Sequence, residues 1–378
     1  MVDSARSTIL ANPSIAVVKV GTNVLADGEG KLDQGRIRAL AEQIGRVRTL
    51  GWQVVLVSSG AIGAGVGKLQ LKKRPTDLPH LQACAAVGQS ALMQLYLEAF
   101  AVHGILPAQI LLTASDFDHR VRYLNVRHTI HTLFEYSCIP IINENDTVSV
   151  AEIKFGDNDQ LAAMVANLLQ AKLLVLLTNV DGLYTADPRS DPSAQLVLTV
   201  PSIDSSITGL AGATRSDLGT GGMKSKLKAA RIATAAGCSV IMANGSSDGV
   251  LDTLFAGREV GTLFQACGEH LPAWKRWLGF TAQPKGVLTV DAGAEKAIVQ
   301  LGRSLLPVGV KRVDGEFGKG DPISICGESG REIARGLTNY HAQDTRQYAG
   351  LQTEQIAQQF GKIPYVEIVH RDNLALTP

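Results

Sequence analysis

Cysteine is scarce and unpatterned in this 378-residue chain: Cys84, Cys138, Cys238, Cys267 and Cys326 are scattered, odd in number and never form CxxC. That argues against a disulfide framework or a CxxC zinc site and fits a reducing compartment. No run of about 18 apolar residues occurs, and the opening MVDSARSTILANPS lacks the apolar stretch of a secretory leader. A cytoplasmic protein with no membrane partner is the expectation. Formal net charge is +1, so no overall pull toward nucleic acid or anionic surfaces arises. Two signatures are missing too: GxxxxGK[ST] and GxGxxG. The usual evidence for a P-loop enzyme and a dinucleotide dehydrogenase is therefore absent.

What is present is 45% hydrophobic residues against 19% charged, a globular balance. The length exceeds one ordinary core, so two or three domains are expected. From Ile15 onward, short Val/Ile/Leu runs alternate with helical patterns. Strands are predicted at Ile15–Val20, Gln53–Val57, Gln109–Leu112, Ile139–Ile142, Leu173–Leu177 and Ser239–Met242. Helices are predicted at Asp33–Thr49, Leu81–Ala101, Tyr123–Tyr136, Asp159–Gln170 and Met223–Ala236. The stretch SSGAIGAG at Ser58–Gly65 reads as a glycine turn. This rhythm predicts an α/β fold, an open and mostly parallel sheet sandwiched by helices.

Ligands of such sheets sit beyond the carboxyl ends of the strands. The polar segments that follow strands are Lys19 with Gly21-Thr22, Ser58-Ser59-Gly60, Asn143–Asp146 and Thr178-Asn179. Gly156-Asp157-Asn158 precedes the helix at Asp159, and LGTGGMKSK at Leu218–Lys226 opens another. All are expected on one edge. A glycine turn opening a helix offers free N–H groups and a positive dipole end, which suits a phosphate. Lys224 and Lys226 add mobile charge there, and Lys226, close to the helix start, is not expected in the core. Lysines from distant segments facing acids and amides fit phosphoryl transfer, in which catalysis is mostly positioning and charge neutralisation.

Beyond about Gly257 the rhythm changes. Gln265–Lys285 has two prolines, two tryptophans and no clear period, and reads as a connector. Short segments follow at Gly286–Val290, Ala297–Ile298, Val308–Val313, Ile323–Cys326, Glu332–Leu337 and Tyr365–Val369, separated by Gly and Asp turns, which predicts a small β-rich domain. The expected division is 1–265, a connector 266–283, a β-rich domain 284–370 and a tail 371–378.

Six ordered stretches, KVGTNVL (19–25), SSGAIGAG (58–65), NENDTV (143–148), EIKFGDND (152–159), GLYTADPR (182–189) and GTGGMKSK (219–226), together resemble the glutamate 5-kinases of the amino-acid kinase family. Residues 284–370 resemble a PUA domain. The resemblance implies transfer of the γ-phosphoryl group of ATP, with Mg²⁺, to the side-chain carboxylate of L-glutamate, giving L-glutamyl 5-phosphate as the first step toward proline. It further suggests feedback inhibition by proline and a homo-oligomer. Carried onto matching positions, it makes Lys19 and Lys226 flank the transferring phosphoryl group, with Asp159 bonded to both. Ser59, Gly60, Asp146 and Asn158 would hold glutamate. Lys19, Thr178, Asn179, Thr220, Gly221, Gly222, Met223, Lys224, Ser225 and Lys226 would hold ATP. Asn179 stands where the family usually has Asp, which removes a charge from the nucleotide side. The magnesium ligands are not assigned.

Plainer readings exist for several of these residues. Asp159 also suits a helix N-cap. His128 and His131 have no third ligand at metal spacing and read as a helix face. Lys72-Lys73-Arg74 reads as a solvated loop, and Met93, Tyr96 and Phe100 as core. Two rival functions are an RNA binder acting through the PUA-like tail and a kinase for another acceptor, such as aspartate, acetylglutamate, carbamate or a nucleotide monophosphate. The tail, residues 284–378, carries 11 Lys+Arg against 11 Asp+Glu, without the cationic excess that a phosphate-backbone binder normally needs.

Overall fold

The computed structural model describes residues 4–27, 32–118, 120–149, 158–210, 222–266, 275, 278–279, 282–361 and 364–377. Two compact units divide the chain, Met1–His270 and Leu271–Pro378.

In the first unit the strands are β1 (Ile15–Val20), β2 (Gln53–Ser58), β3 (Pro107–Leu112), β4 (Ile139–Glu144), β5 (Leu173–Thr178), β6 (Thr199–Val200), β7 (Ser239–Asn244) and β8 (Thr262–Phe264). The helices are α1 (Ser4–Leu10), α2 (Thr22–Leu25), α3 (Gln34–Thr49), α4 (Ala61–Lys68), α5 (Leu78–Ala101), α6 (Ala114–Asp118), α7 (Arg120–Glu135), α8 (Asn158–Leu169), α9 (Ser205–Leu210), α10 (Met223–Ala235) and α11 (Val250–Phe255). The sheet order is β3-β4-β2-β1-β5-β7-β8-β6. The first six strands in that order are mutually parallel, and β8 runs antiparallel to β7. The predicted α/β sandwich is the observed one.

β1 and β5 are buried along their whole length, as expected of central strands covered on both faces. Lys19 on β1 stands in register with Val57 of β2 and Leu176 of β5. The chain places β2, β4 and β3 on one side of β1, then returns to place β5 and β7 on the other. The topological switch point therefore lies between β1 and β5, where such sheets open a crevice for ligands. Met93, Tyr96 and Phe100 of α5 are buried in the core with Leu56, Ile141 and Val175. Lys72, Lys73 and Arg74 are exposed.

SSGAIGAG does not form the predicted turn beyond its first residues. Gly60 adopts φ +103°, a left-handed conformation that glycine tolerates, and the chain then enters α4. Glycine disfavours helix by about 1 kcal/mol relative to alanine, but here helix packing overrides propensity. A Cβ at Gly65 would lie 1.8 Å from the carbonyl oxygen of Cys84, and one at Gly88 would lie 1.7 Å from that of Ala61. Only paired glycines let α4 and α5 approach so closely.

In the second unit β9 (Gly286–Val290), β10 (Val310–Gly315), β11 (Pro322–Cys326), β12 (Glu332–Leu337) and β13 (Leu374–Leu376) form one sheet in the order β10-β9-β11-β12-β13. Leu288, Ile323, Ile325, Ala334 and Ile368 fill its core. The predicted segment at Ala297–Ile298 is instead part of a helix, α12 (Ala292–Val299), begun by Asp291, whose side chain accepts from the Ala294 N–H at 2.7 Å. Alanine, Glu295 and Lys296 favour that helix. Two further helices, α13 (Ala342–Tyr348) and α14 (Thr353–Phe360), were not foreseen. Tyr365–Val369 forms no strand; Val369 makes an isolated bridge to Leu305, and the last strand falls at β13. Most of the expected connector 266–283 lies outside the described residues.

Replacing Gly88 with Ala should lower the stability of the first unit by about 3 kcal/mol, because the new methyl group meets backbone rather than a movable side chain. Thermal denaturation reads this as a melting temperature several degrees lower; an unchanged value would mean the two helices can part without loss.

Candidate active site

Lys19 comes from β1, Asp159 from the first turn of α8 and Lys226 from the first turn of α10. These three side chains, far apart in sequence, meet at one point. Lys19 Nζ lies 2.6 Å from Asp159 Oδ1, and Lys226 Nζ lies 3.0 Å from Asp159 Oδ2. Asp159 is fully buried, and Lys19 and Lys226 are 4% and 8% exposed. Lys226 is thus interior, contrary to the expectation from its place near a helix start. α10 packs its Leu227, Ala230 and Ala233 face inward, and the lysine shares the buried side.

Two ammonium groups share one carboxylate in a buried place. A buried charge is costly unless matched, and the position of Asp159 at the start of α8 adds the favourable end of that helix to its pairing. Beside this cluster, α10 opens at Gly222 without a side-chain cap, and the Ser225 hydroxyl in its first turn is buried with no hydrogen-bond partner among the described residues. Uncapped N–H groups and an open hydroxyl at a helix start suit a phosphate. Met223 is half-buried there and Lys224 is exposed. Thr220 and Gly221 fall outside the described residues. Thr178 ends β5, buried, with its hydroxyl 3.3 Å from Asn179 Oδ1; Asn179 itself is exposed.

The opposite flank is a chain of amides. Asn158 Nδ2 lies 2.9 Å from Ser58 O, from Ser59 Oγ and from Asn143 Oδ1. Asn143, at the end of β4, also accepts from the Glu144 N–H and donates to Gln89 Oε1 of α5, both at 2.9 Å. Ser58 Oγ pairs with the Tyr96 hydroxyl at 2.8 Å, and burial pushes the Tyr96 phenol up from its ordinary pKa. Ser59, Gly60 and Asn158 therefore come together, while Asp146 sits half-buried in the turn just after β4. Sequence reasoning missed Gln89, and passed over Asn143 within NEND. The available signal for Gln89 was a polar residue on the same helical face as Leu92, Met93, Tyr96 and Phe100.

Among the described residues no group of three or more His, Cys, Asp or Glu side chains is arranged to hold a metal. His128 and His131 lie on α7. Also among the described residues, no helix is long and apolar enough to cross a membrane.

The Amino acid kinase family profile matches residues 14–244, and the PUA domain profile matches residues 286–360. A protein of Syntrophus aciditrophicus (strain SB) named glutamate 5-kinase is 46% identical over 98% of this chain and 96% of its own length. Proteins of the same name from Myxococcus xanthus (strain DK1622), 46% identical over 99% of both chains, and from a Pseudomonas putida strain, 47% identical over 95% of this chain and 97% of its own, agree. The chain belongs to the amino acid kinase family, in its glutamate 5-kinase group, with a C-terminal PUA domain. It is an enzyme, a kinase, and ATP is its phosphoryl donor.

Replacing Asp159 with Asn removes a charge that both ammonium groups share. Breaking a buried pair in this way costs about 3–5 kcal/mol. Denaturant unfolding should show a midpoint shifted down accordingly; an unshifted midpoint would mean that charge does not hold the two lysines.

Proposed function

We propose that the enzyme transfers the γ-phosphoryl group of ATP to the side-chain carboxylate of L-glutamate, forming L-glutamyl 5-phosphate and ADP as the first step toward proline. The observation that carries this reading is the pair of buried ammonium groups on one carboxylate at the β1/β5 switch point. The near full-length likeness to glutamate 5-kinases supports the choice of acceptor. A glutamate side chain has a pKa of about 4.3, so it is ionised at neutral pH and needs no general base. The barrier is repulsion between the acceptor carboxylate and the γ-phosphate. Lys19 and Lys226 neutralise charge on the transferring group as a carboxylate oxygen attacks phosphorus and the bond to the β-phosphate oxygen breaks. Asp159 holds both in register. As the bond breaks, the departing oxygen of ADP takes the electron pair.

Ser59, Gly60, Asp146 and Asn158, with Asn143, form the glutamate side of the site in this reading. Thr178, Asn179 and residues 220–226 form the nucleotide side. Mg²⁺ shields phosphate charge when bound. It keeps several waters and is held chiefly through substrate phosphates and one or two carboxylates. Proline, an amino acid of similar size, inhibits by occupying the glutamate side, and the enzyme works in the cytoplasm as a homo-oligomer. Residues 1–265 form the catalytic domain and 284–370 the PUA domain.

Purified enzyme with ATP, Mg²⁺ and glutamate should form ADP and, with hydroxylamine present, a glutamyl hydroxamate. No glutamate-dependent turnover, or preference for aspartate or a nucleotide monophosphate, would overturn the acceptor. Lys226→Met should lower kcat by about 10²–10³-fold, the scale of losing one charge-stabilising donor. A wild-type kcat in that variant would remove Lys226 from the chemistry.

A further inference from the structure

We propose that Gln89, on the core-facing side of α5, is a positioning residue that fixes the amide polarity of Asn143 and Asn158 and so leaves Asn158 Oδ1 open for the α-ammonium group of the acceptor. The inference rests on the reading that the acceptor is glutamate.

The polarity of this chain of amides follows from backbone groups with only one possible role. The Glu144 N–H can only donate, so the Asn143 atom 2.9 Å from it is the oxygen. Its nitrogen must then face Gln89, which has to present Oε1, also at 2.9 Å. The Ser58 carbonyl can only accept, so the Asn158 atom beside it is the nitrogen, and that same nitrogen reaches Asn143 Oδ1. Both ends agree. Asn158 Oδ1 is consequently turned away from these partners, and it is buried with no hydrogen-bond partner among the described residues. A buried acceptor without a donor is unfavourable and marks a place for one.

Glutamate supplies one donor group only. Both its carboxylates are acceptors when ionised, which leaves the α-ammonium to meet Asn158 Oδ1. Asn158 is adjacent in sequence to Asp159, which holds the two lysines, so one helix start would address both the reacting end and the amino end of the substrate. Gln89 touches neither. It is 9% exposed and sits next to Gly88, where α5 is pressed against Ala61 of α4. That close crossing gives Gln89 a fixed base from which to hold Asn143.

The test uses the full-length enzyme and compares Gln89→Met, which has similar length but no acceptor, with Gln89→Glu, which keeps one. Steady-state ADP formation is measured with glutamate and with glutarate, the same dicarboxylate without the amino group. Loss of one buried acceptor acting on substrate binding should raise KM for glutamate about tenfold or more in Gln89→Met, with kcat and KM for ATP within about twofold. The preference for glutamate over glutarate should narrow by a similar factor, and Gln89→Glu should stay close to wild type. Should Gln89→Met fail to fold, Gln89→Asn withdraws the acceptor by one methylene and must give the same pattern. An unchanged KM for glutamate in a folded variant, a parallel rise in KM for ATP, or an unchanged glutamate-to-glutarate ratio overturns the inference. Absence of glutamate turnover in the wild type would fell the glutamate reading and this inference with it, whereas normal wild-type turnover with an unmoved variant fells the inference alone.

Discussion

One carboxylate between two ammonium groups is the constraint around which the catalytic unit is arranged. Lys19 and Lys226 would repel one another if brought together without Asp159. With it, both are held within ion-pair distance at almost no exposure. Electrostatic interactions grow in such surroundings because water cannot screen them. The same property makes an unmatched charge costly. Two lysines gathered at the carboxyl edge of a parallel sheet place positive charge where such sheets receive their ligands.

The fold delivers these groups through simple means. β1 is central because the chain lays strands on one side of it and then on the other, and Lys19 sits near its carboxyl end. α8 and α10 both start on this edge, so Asp159 and Lys226 are first-turn residues; the start of α8 favours the negative charge of Asp159, and Lys226 is held against that carboxylate. On the other flank, Asn158 ties the end of β2 to the end of β4. Two kinds of chemistry are thereby kept apart. Charge gathers on one flank and neutral amides on the other; in the proposed reading the first serves the reacting phosphate and the second the amino-acid acceptor.

Much of this was legible in the sequence because it depends on local pattern. Alternating Val/Ile/Leu runs and helical periods located the six parallel strands within a residue or two, and glycine–lysine and acid–amide segments marked the edge. What could not be read depends on tertiary contact. SSGAIGAG looks like a turn from composition, and becomes helix only because Gly65 and Gly88 meet the backbone of the opposing helix. Lys226 looks exposed by its position, and is buried only because Asp159 waits inside. Gln89 looks like an incidental polar residue in an apolar helix until Asn143 is placed beside it. In the second unit, α12 was concealed by a two-residue apolar pair that reads equally well as strand.

The most direct measurement of the central claim is a structure of the enzyme with ADP, Mg²⁺, aluminium fluoride and glutamate, which mimics the transferring phosphoryl group. The account predicts Lys19 Nζ and Lys226 Nζ both in hydrogen-bond contact with the fluoride or its bridging oxygens, with Asp159 still between them. A complex in which either lysine points away from the mimic while the site is filled would contradict it.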